Sequence, residues 1–404
     1  MTPQQQADRA TLVLAAMLAG LATLGPFAID TYMPSFPAMG RAFDATTLQM
    51  QQTLTAYLLP FAFMMLFHGA LTDSFGRRPV ILTGLLVFTA ASIGCALAQS
   101  LPQLLLFRAL QGMSSGTGMV AGRAMIRDIY PGHQAQRVMA MVTMIFGLAP
   151  AVAPIIGGWL EVWFGWRSIF IFLTLFAALL YVGCHYRLAE SLPPSKRQPF
   201  AVRPLAANYF KLFGSLRFGL ASSAIALNFA AFFLYIASAP AVIYQLLGLG
   251  ESQFAWLFVP GISGVILGAF LSGRLAGKLA PRRTVLYGYG VMLVAASFNL
   301  VYNMLYAPAL PWTVLPVMVY AIGMALVMPS ITLLLLDMFP DNRGLAASLQ
   351  AAQQSFFSGL AAGLLSPHVS GTGFGLAAGM AVLLAGGFTC WYGYMCLTNG
   401  EPRR

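Results

Sequence analysis

The chain has 404 residues, of which 59% are hydrophobic and only 8% are charged, and its formal net charge is +11. Roughly a quarter of the residues of a soluble protein are charged, and these charges keep its surface hydrated. Too few charges are present to cover a soluble domain of this length, so the composition predicts an integral membrane protein.

Long apolar runs indicate helices rather than a barrel. Barrel strands show about ten residues of alternating hydrophobicity, whereas runs such as 79–98 and 170–184 are unbroken here. Because about twenty apolar residues cross a bilayer as a helix, we predict twelve transmembrane helices, near residues 11–37, 48–71, 79–99, 102–126, 135–160, 166–186, 217–245, 252–273, 283–304, 312–336, 344–366 and 373–397.

The positive charge is concentrated on alternate loops. Most of the 22 Lys and Arg residues lie on, or beside, the loops that join every second pair of predicted helices. Cytoplasmic loops are enriched in these residues, so the pattern places both termini in the cytoplasm. The charge therefore indicates topology and gives no reason to expect a nucleic-acid partner.

A polar, proline-containing interval at 187–216 divides the chain into two halves. It predicts an N-terminal six-helix bundle at 1–190, a cytoplasmic linker at 191–213 and a C-terminal six-helix bundle at 214–404. The halves also resemble each other, because the glycine-rich basic stretch 69–84 recurs at 273–288, and 127–131 is similar to 336–340. Duplicated halves with a substrate site at their interface are typical of secondary transporters.

Several motifs resemble those of a known family. Residues 69–78, GALTDSFGRR, match the loop 2–3 signature G-x-L-x-D-x-x-G-R-R of the major facilitator superfamily, and RALQG at 108–112 is similar to its R-x-x-Q-G motif. DTYMP at 30–34 and WRSIF at 166–170 are similar to the bicyclomycin/chloramphenicol-resistance branch. The resemblance covers the whole chain and implies an all-α fold of two pseudo-symmetric six-helix bundles in the bacterial inner membrane.

Asp30 is the first candidate for a functional role. A carboxylate within hydrocarbon costs about 2.5–3.5 kcal/mol on insertion scales, and Asp30 lies about 10–15 Å from the outer end of its predicted helix at 1.5 Å per residue. It could exchange a proton as its surroundings change between inward-open and outward-open states. The alternative is a structural carboxylate that caps or pairs near the surface.

Arg108 lies at a comparable depth on predicted helix 4. The resemblance implies that this helix packs beside helix 1, and that Arg108 links proton binding to substrate binding. A structural interpretation also stays open, in which the guanidinium hydrogen-bonds carbonyls of helix 1.

Two further groups of residues are named by the motifs. The resemblance implies that charged residues and glycines at the cytoplasmic ends of the helices form a gating network that stabilises one conformation. These residues are Gly69, Asp73, Gly76, Arg77, Arg78, Arg123, Arg127 and Asp128. Predicted helix 5 resembles the antiporter motif of drug–proton exchangers. Its glycines and prolines serve helix packing, and the resemblance adds sealing against proton leak: Gly147, Pro150, Pro154, Gly157 and Gly158.

Polar and aromatic residues within apolar helices are candidates for a substrate cavity, although each such residue taken alone more often belongs to the packed core. A few polar anchors among aromatic side chains would suit amphiphilic ligands. The candidates are Tyr32, Gln51, Thr55, Tyr57, Asn228, Phe232, Tyr235, Gln350, Gln353, Gln354 and Phe357.

These features favour a proton-coupled antiporter that exports drug-like or small metabolite molecules from cytoplasm to periplasm. Its partners would be protons, a small-molecule substrate and the lipid bilayer, and it would need no cofactor or metal and act as a monomer. Some relatives carry a second acid where Ala22 stands, so neutral or zwitterionic substrates are favoured over cations.

The alternatives to such an exporter are a proton-coupled nutrient importer and, from another class, a membrane sensor or enzyme. The chain contains no H-E-x-x-H, G-x-S-x-G or Walker A sequence, which argues against a metalloprotease, a hydrolase or an ATP-driven pump.

Overall fold

The computed structural model of the protein describes residues 3–130, 132–275, 278–339 and 343–398. The first half of this part contains helices α1 (Pro3–Asp30), α2 (Phe36–Phe43), α3 (Thr47–Phe75), α4 (Arg77–Leu97), α5 (Leu101–Ile129), α6 (Gly132–Phe164) and α7 (Arg167–Arg187). The second half contains α8 (Val202–Phe213), α9 (Leu216–Ala237), α10 (Ala255–Leu275), α11 (Pro281–Leu305), α12 (Leu315–Asp337), α13 (Arg343–Leu360), α14 (Ser366–Val369) and α15 (Gly373–Thr398).

The predicted all-helical membrane fold is confirmed, and no strand occurs in these described ranges. Within the described part of the chain, ten segments are long and apolar enough to cross a membrane, the first being Leu12–Phe43, which joins α1 and α2. The other two predicted spans correspond to α5 and to α13 with α14. Their hydropathy is lower because α5 carries Arg108 and Gln111, and α13 carries three glutamines. Both of these less apolar helices carry candidate functional residues.

The chain forms two compact units. Unit 1 contains Met1–Ala45 and Leu59–Ala201, and unit 2 contains Thr46–Leu58 and Val202–Arg404. Helix α3 thus contributes its first part to unit 2 and its remainder to unit 1. Part of the predicted linker is helical, because α8 covers Val202–Phe213. Residues 131 and 340, which belong to the repeated motifs, lie outside the described residues, as do the two termini. The cytoplasmic location of the termini therefore stays a prediction.

Packing in unit 1 centres on α1, which contacts α5, α6 and α7, while α4 packs between α5 and α7. In unit 2, α12 packs on α10 and α11, and α9 packs on α13 and α15. Small residues permit the closest approaches. In α10, a Cβ atom on Gly264 or Gly268 would lie well inside van der Waals contact with the backbone carbonyls of α12.

Gly264→Ala should therefore destabilise unit 2, because the added methyl group meets the Met318 carbonyl and cannot be accommodated by a side-chain rotation. Overpacking of this kind costs about 1–3 kcal/mol. Thermal unfolding of the purified protein in detergent should show a lower midpoint for this variant. Gly290→Ala in α11 is the matched control, since a Cβ atom there has no neighbour within 4 Å. An unchanged midpoint for Gly264→Ala would contradict the close packing of α10 on α12.

Candidate functional site

Asp30 is the last residue of α1 and is only 4% exposed. After it the helix breaks: the Thr31 hydroxyl turns back to the Phe27 carbonyl, and a 3₁₀ turn, Met33–Ser35, contains Pro34 before α2 begins. Proline cannot donate a backbone hydrogen bond, which explains why the α-helix does not continue unbroken. The carboxyl group of Asp30 is thus placed at a helix break inside the membrane-spanning segment.

Arg108 on α5 is fully buried and holds α1 beside Asp30. Its Nη1 donates hydrogen bonds to the Ala28 carbonyl at 2.9 Å and to Gln111 Oε1 at 2.8 Å. The guanidinium also lies over the Tyr32 ring, 4.2 Å from its centroid. Ala28 and Tyr32 flank Asp30 on either side, so one arginine contacts the chain just before and just after the carboxylate.

The hydrogen-bond chain continues from Gln111, whose Nε2 donates to Ser92 Oγ on α4 at 2.8 Å. Arg108 is therefore linked to three helices, α1, α4 and α5. The ion pairs formed between described residues do not include Asp30 with Arg108. The two residues are connected through the backbone of α1, which corresponds to the carbonyl-binding interpretation of Arg108 and leaves its coupling role as a prediction.

Helix α6 packs against α1 at the same level. A side chain at Gly157 would collide with the Thr31 carbonyl, just after the end of α1. Four residues further along each segment, the Ser35 hydroxyl donates to Glu161 Oε2. Gly158 is buried too, whereas a Cβ on Gly147 would have no neighbour within 4 Å. The prolines Pro150 and Pro154 lie within the same helix. Of the antiporter-motif glycines, Gly157 is thus the one that an α1 contact requires.

Glu161 was missed in the sequence, because it follows the motif and stands near the end of an apolar run. An acidic residue within α6 was nevertheless a visible signal, by the same reasoning that singled out Asp30. Its hydrogen bond to Ser35 places a second carboxylate on the segment that follows Asp30.

The loop between α3 and α4 holds a charge network. Arg77 contacts Asp73 and Asp128, with 3.3 Å between Arg77 Nε and Asp128 Oδ2, and Nη1 donates to the Thr72 hydroxyl at 2.9 Å. Arg78 donates from Nη2 to the His185 carbonyl at 2.7 Å. The structure therefore brings together four of the predicted gating residues, at the ends of α3, α4, α5 and α7.

Glu190, which follows α7, completes this network and was not predicted. Its two carboxylate oxygens accept hydrogen bonds from the backbone amides of Arg77 at 3.0 Å and Arg78 at 3.3 Å. The first amides of a helix lack intrahelical partners and carry partial positive charge, so a carboxylate there caps α4. Gly76 makes this possible, because its φ of 97° favours glycine and any side chain would meet the Glu190 carboxylate.

Of the remaining predicted gating residues, Gly69 uses its carbonyl to accept a hydrogen bond from Thr72 Oγ1. Arg127 is exposed at the end of α5, and Arg123 lies one turn before it. No ion pair between described residues involves either arginine. Arg123 instead lines a small pocket between α1, α5 and α6.

Most cavity candidates of unit 2 are buried and bonded to neighbouring helices. Gln51 Nε2 donates to Ser366 Oγ at 2.9 Å, and a side chain at Gly363 would collide with Thr55. Asn228 donates to the Tyr289 hydroxyl at 2.8 Å, and the Tyr235 hydroxyl accepts from Asn299 at 2.6 Å. Tyr57 and Phe232 are buried as well.

On α13, Gln350 is buried, whereas Gln353 is half-buried. Gln350 Nε2 donates to the Thr332 hydroxyl at 3.3 Å and Gln353 Nε2 to the Ser223 hydroxyl at 2.7 Å. Gln354 and Phe357 are half-buried. Tyr32, the candidate in unit 1, lies under Arg108. Asn228 and Tyr235 thus each have a hydrogen-bond partner on α11, and the cavity itself stays a prediction.

Comparison with known proteins gives consistent results. The model of the family described as "Major Facilitator Superfamily" matches residues 18–364. The chain is 30% identical to the uncharacterized MFS-type transporter YdgK of Bacillus subtilis, over 84% of each chain. It is 28% identical to multidrug resistance protein D of Escherichia coli, over 94% of each chain, and 30% identical to a bicyclomycin resistance protein homolog of Haemophilus influenzae, over 67% of this chain and 68% of the relative.

Among solved structures, the chain resembles a bacterial homolog of the human lysosomal transporter Spinster, with a TM-score of 0.72 and 17% identity over 97% of each chain. It also resembles a D-xylose–proton symporter, with a TM-score of 0.68 and 15% identity over 94% of this chain and 97% of that one. At these identities the likeness concerns the fold.

The α4 cap can be tested with Glu190→Gln, which keeps the shape of the side chain and removes its charge. A hydrogen bond to a charged group contributes about 1.5–3 kcal/mol. Partial loss of that contribution should raise amide hydrogen exchange at Arg77 and Arg78 by about tenfold or more, as measured by mass spectrometry of the purified protein. Glu251→Gln serves as a distant control in unit 2. Equal exchange in Glu190→Gln and the unsubstituted protein would refute the cap.

Proposed function

The chain belongs to the Major Facilitator Superfamily, and we propose that it is a proton-coupled antiporter exporting drug-like or small metabolite molecules from cytoplasm to periplasm. It is a multi-pass membrane transporter rather than an enzyme, as the family match over residues 18–364 and the resistance proteins among its relatives indicate. The proposed site of action is the bacterial inner membrane, with both termini in the cytoplasm and no cofactor besides the proton gradient.

The observation that carries the proposal is the placement of Asp30. This carboxyl group is buried at a break in a membrane-spanning segment, between the contacts that Arg108 makes with Ala28 before it and Tyr32 after it. A charged carboxylate in such surroundings is costly, so its protonation depends on access to water. A carrier that exposes Asp30 alternately to either side would load a proton on one side and release it on the other.

Proton and substrate are then coupled because both bias the same conformational equilibrium. Loss of the Asp30 charge alters the electrostatic balance beside the Arg108 guanidinium, which is attached to α1 by the Ala28 carbonyl. A ligand shifts an equilibrium only by its differential affinity for the two states. Exchange therefore requires that the protonated form and the substrate-bound form favour opposite states.

The network of Asp73, Arg77, Asp128 and Glu190 supports the gating part of the proposal. Its bonds join the ends of several helices of unit 1. When these bonds are broken in one conformational state and formed in another, they change the populations of the two states without any contact to a substrate.

Asp30→Asn tests the proposed proton role. In proteoliposomes with an imposed pH gradient, radiolabelled chloramphenicol and a small panel of neutral and zwitterionic drugs should be transported by the unsubstituted protein. Because asparagine cannot exchange a proton, gradient-driven transport should fall by about two orders of magnitude or more, the range found for lost proton-transfer groups. Drug movement down its own concentration gradient should persist.

Asp44→Asn is the matched control, because Asp44 is an exposed acid that follows α2 in the left-handed region, which asparagine tolerates. It should transport normally. If Asp30→Asn retains pH-driven transport at the unsubstituted rate, the proton is carried elsewhere and this assignment is wrong.

A further inference from the structure

A groove lies within unit 1 between α3, α4 and α5. Its volume is about 460 Å³, and small-molecule sites usually measure about 300–1,000 Å³. Its wall is formed by residues within 64–75 on α3, 79–87 on α4 and 113–117 on α5. The longest of these stretches extends about 16 Å at 1.5 Å per residue. The groove therefore has room for a ligand with a body of two fused aromatic rings.

The rim of the groove consists of its exposed lining residues, and most of them are apolar. Phe75 on α3, Val87 on α4 and Met113 on α5 are exposed. Thr83 is an exposed polar residue of the rim. An apolar ligand body is favoured against such a wall, because binding there removes apolar surface from water.

The floor of the groove contains three buried polar residues, His68, Ser114 and Thr117. The Ser114 hydroxyl donates to the Leu110 carbonyl at 2.9 Å, and the Thr117 hydroxyl donates to the Ser114 carbonyl at 2.7 Å. His68 Nε2 lies 3.0 Å from the Met113 carbonyl. Since a carbonyl can only accept, Nε2 is the donor in this bond. The three residues thus use these donors within the protein.

The floor is left with hydrogen-bond acceptors. A hydroxyl oxygen keeps its lone pairs when it donates, and so does Nδ1 of a neutral histidine ring. Nδ1 of His68 has no hydrogen-bond partner among the described residues. Its ring packs against Gly116, where a Cβ atom would collide with it. We therefore assign the acceptor role toward a ligand to the hydroxyl oxygens of Ser114 and Thr117.

Charge narrows the choice of ligand further. The described residues that line the groove include no Asp, Glu, Lys or Arg. A charged ligand would lose hydration there without gaining an opposite charge, which is unfavourable. A neutral ligand with a hydroxyl or N–H group loses less hydration and finds an acceptor on the floor.

We propose that this groove is a ligand site for a neutral amphiphile, whose apolar ring body lies along α3 and α4 and whose hydroxyl or N–H group donates to Ser114 or Thr117. The site goes beyond the proposed proton exchange, because its lining residues include neither Asp30 nor Arg108. Ser114 lies six residues after Arg108, about 9 Å along α5. The groove and the Arg108 contacts are thus separate places on one helix.

A lipid acyl chain is the alternative occupant of an apolar groove in a membrane protein. Such a chain has no hydrogen-bond donor, so it would cover the floor without pairing with the acceptors. The donor group of the ligand is therefore the property that distinguishes the two occupants.

The test measures equilibrium binding of four probes with one aromatic body to the purified full-length protein in lipid nanodiscs, with binding to empty nanodiscs subtracted. The probes are 2-naphthylmethanol, its methyl ether 2-(methoxymethyl)naphthalene, the anion 2-naphthoate and the cation 2-naphthylmethylammonium. The alcohol should bind about three- to tenfold more tightly than the ether, which is the contribution of a neutral hydrogen bond. Both charged probes should bind more weakly than the alcohol.

Removal of the acceptors tests the floor. The double variant Ser114→Ala, Thr117→Val removes both hydroxyls with little change in volume, so the preference for the alcohol over the ether should disappear. Affinity for the ether should stay within about twofold, since the ether donates no hydrogen bond to lose. A purely structural role of the two residues would instead lower both affinities together.

A bulky side chain on the rim tests the location of the site. Thr83→Phe fills the groove from an exposed position and should weaken both neutral probes by about tenfold, because the ring body loses apolar contact area. Ile93→Phe is the matched control. Ile93 is also exposed on α4, lies ten residues further on and does not line the groove. This variant should bind all four probes as the unsubstituted protein does.

Two results would overturn the proposal. Equal affinities of the alcohol and the ether for the unsubstituted protein would show a groove that accepts any apolar chain, as a lipid site does. Equal alcohol binding by Thr83→Phe and Ile93→Phe would place the site elsewhere. Both comparisons decide the matter even if the double variant does not fold. Binding is measured without a pH gradient, so its outcome is separate from that of proton-driven export.

Discussion

One buried guanidinium, that of Arg108, connects the helices of unit 1 that surround Asp30. Arg108 has no exposure to solvent, so its hydrogen bonds must be made inside the helix bundle. Its partners are the Ala28 carbonyl, Gln111 and the face of Tyr32, and Gln111 extends the chain to Ser92. These bonds fix α1 against α5 at the point where α1 ends, which is where Asp30 lies. The carboxyl group proposed to carry the proton is thus positioned by an arginine that contacts its neighbours in the chain.

Unit 1 is held at a second level by the loop network. Arg77 joins the ends of α3 and α5, and Glu190 caps the first turn of α4 from the segment after α7. The two levels differ in kind. Arg108 contacts the neutral groups Ala28, Gln111 and Tyr32 in the interior, whereas the loop network consists of partly exposed ion pairs.

Local patterns in the sequence predicted the helices, the loop motif and the two candidates Asp30 and Arg108. The same patterns could not predict contacts between segments that are far apart in the sequence. Glu190 lies more than one hundred residues from the α4 amides it caps, and the register that pairs Ser35 with Glu161 depends on how α1 meets α6. The sequence also could not predict that Asn228 and Tyr235 bond to Tyr289 and Asn299 on α11, and the cavity role of Asn228 and Tyr235 stays a prediction. The sequence likewise did not predict side-chain exposure, which distinguishes Arg123 from Arg108 on the same helix.

The central claim is that Asp30 itself binds and releases the exchanged proton. Infrared difference spectroscopy of the purified protein, recorded on addition of a transported compound, tests this directly through the carbonyl stretch of a protonated carboxyl group. We expect that band to decrease as the compound binds and to be absent from the difference spectrum of Asp30→Asn. An undiminished band in Asp30→Asn would show that another carboxyl group carries the proton, and would contradict the account.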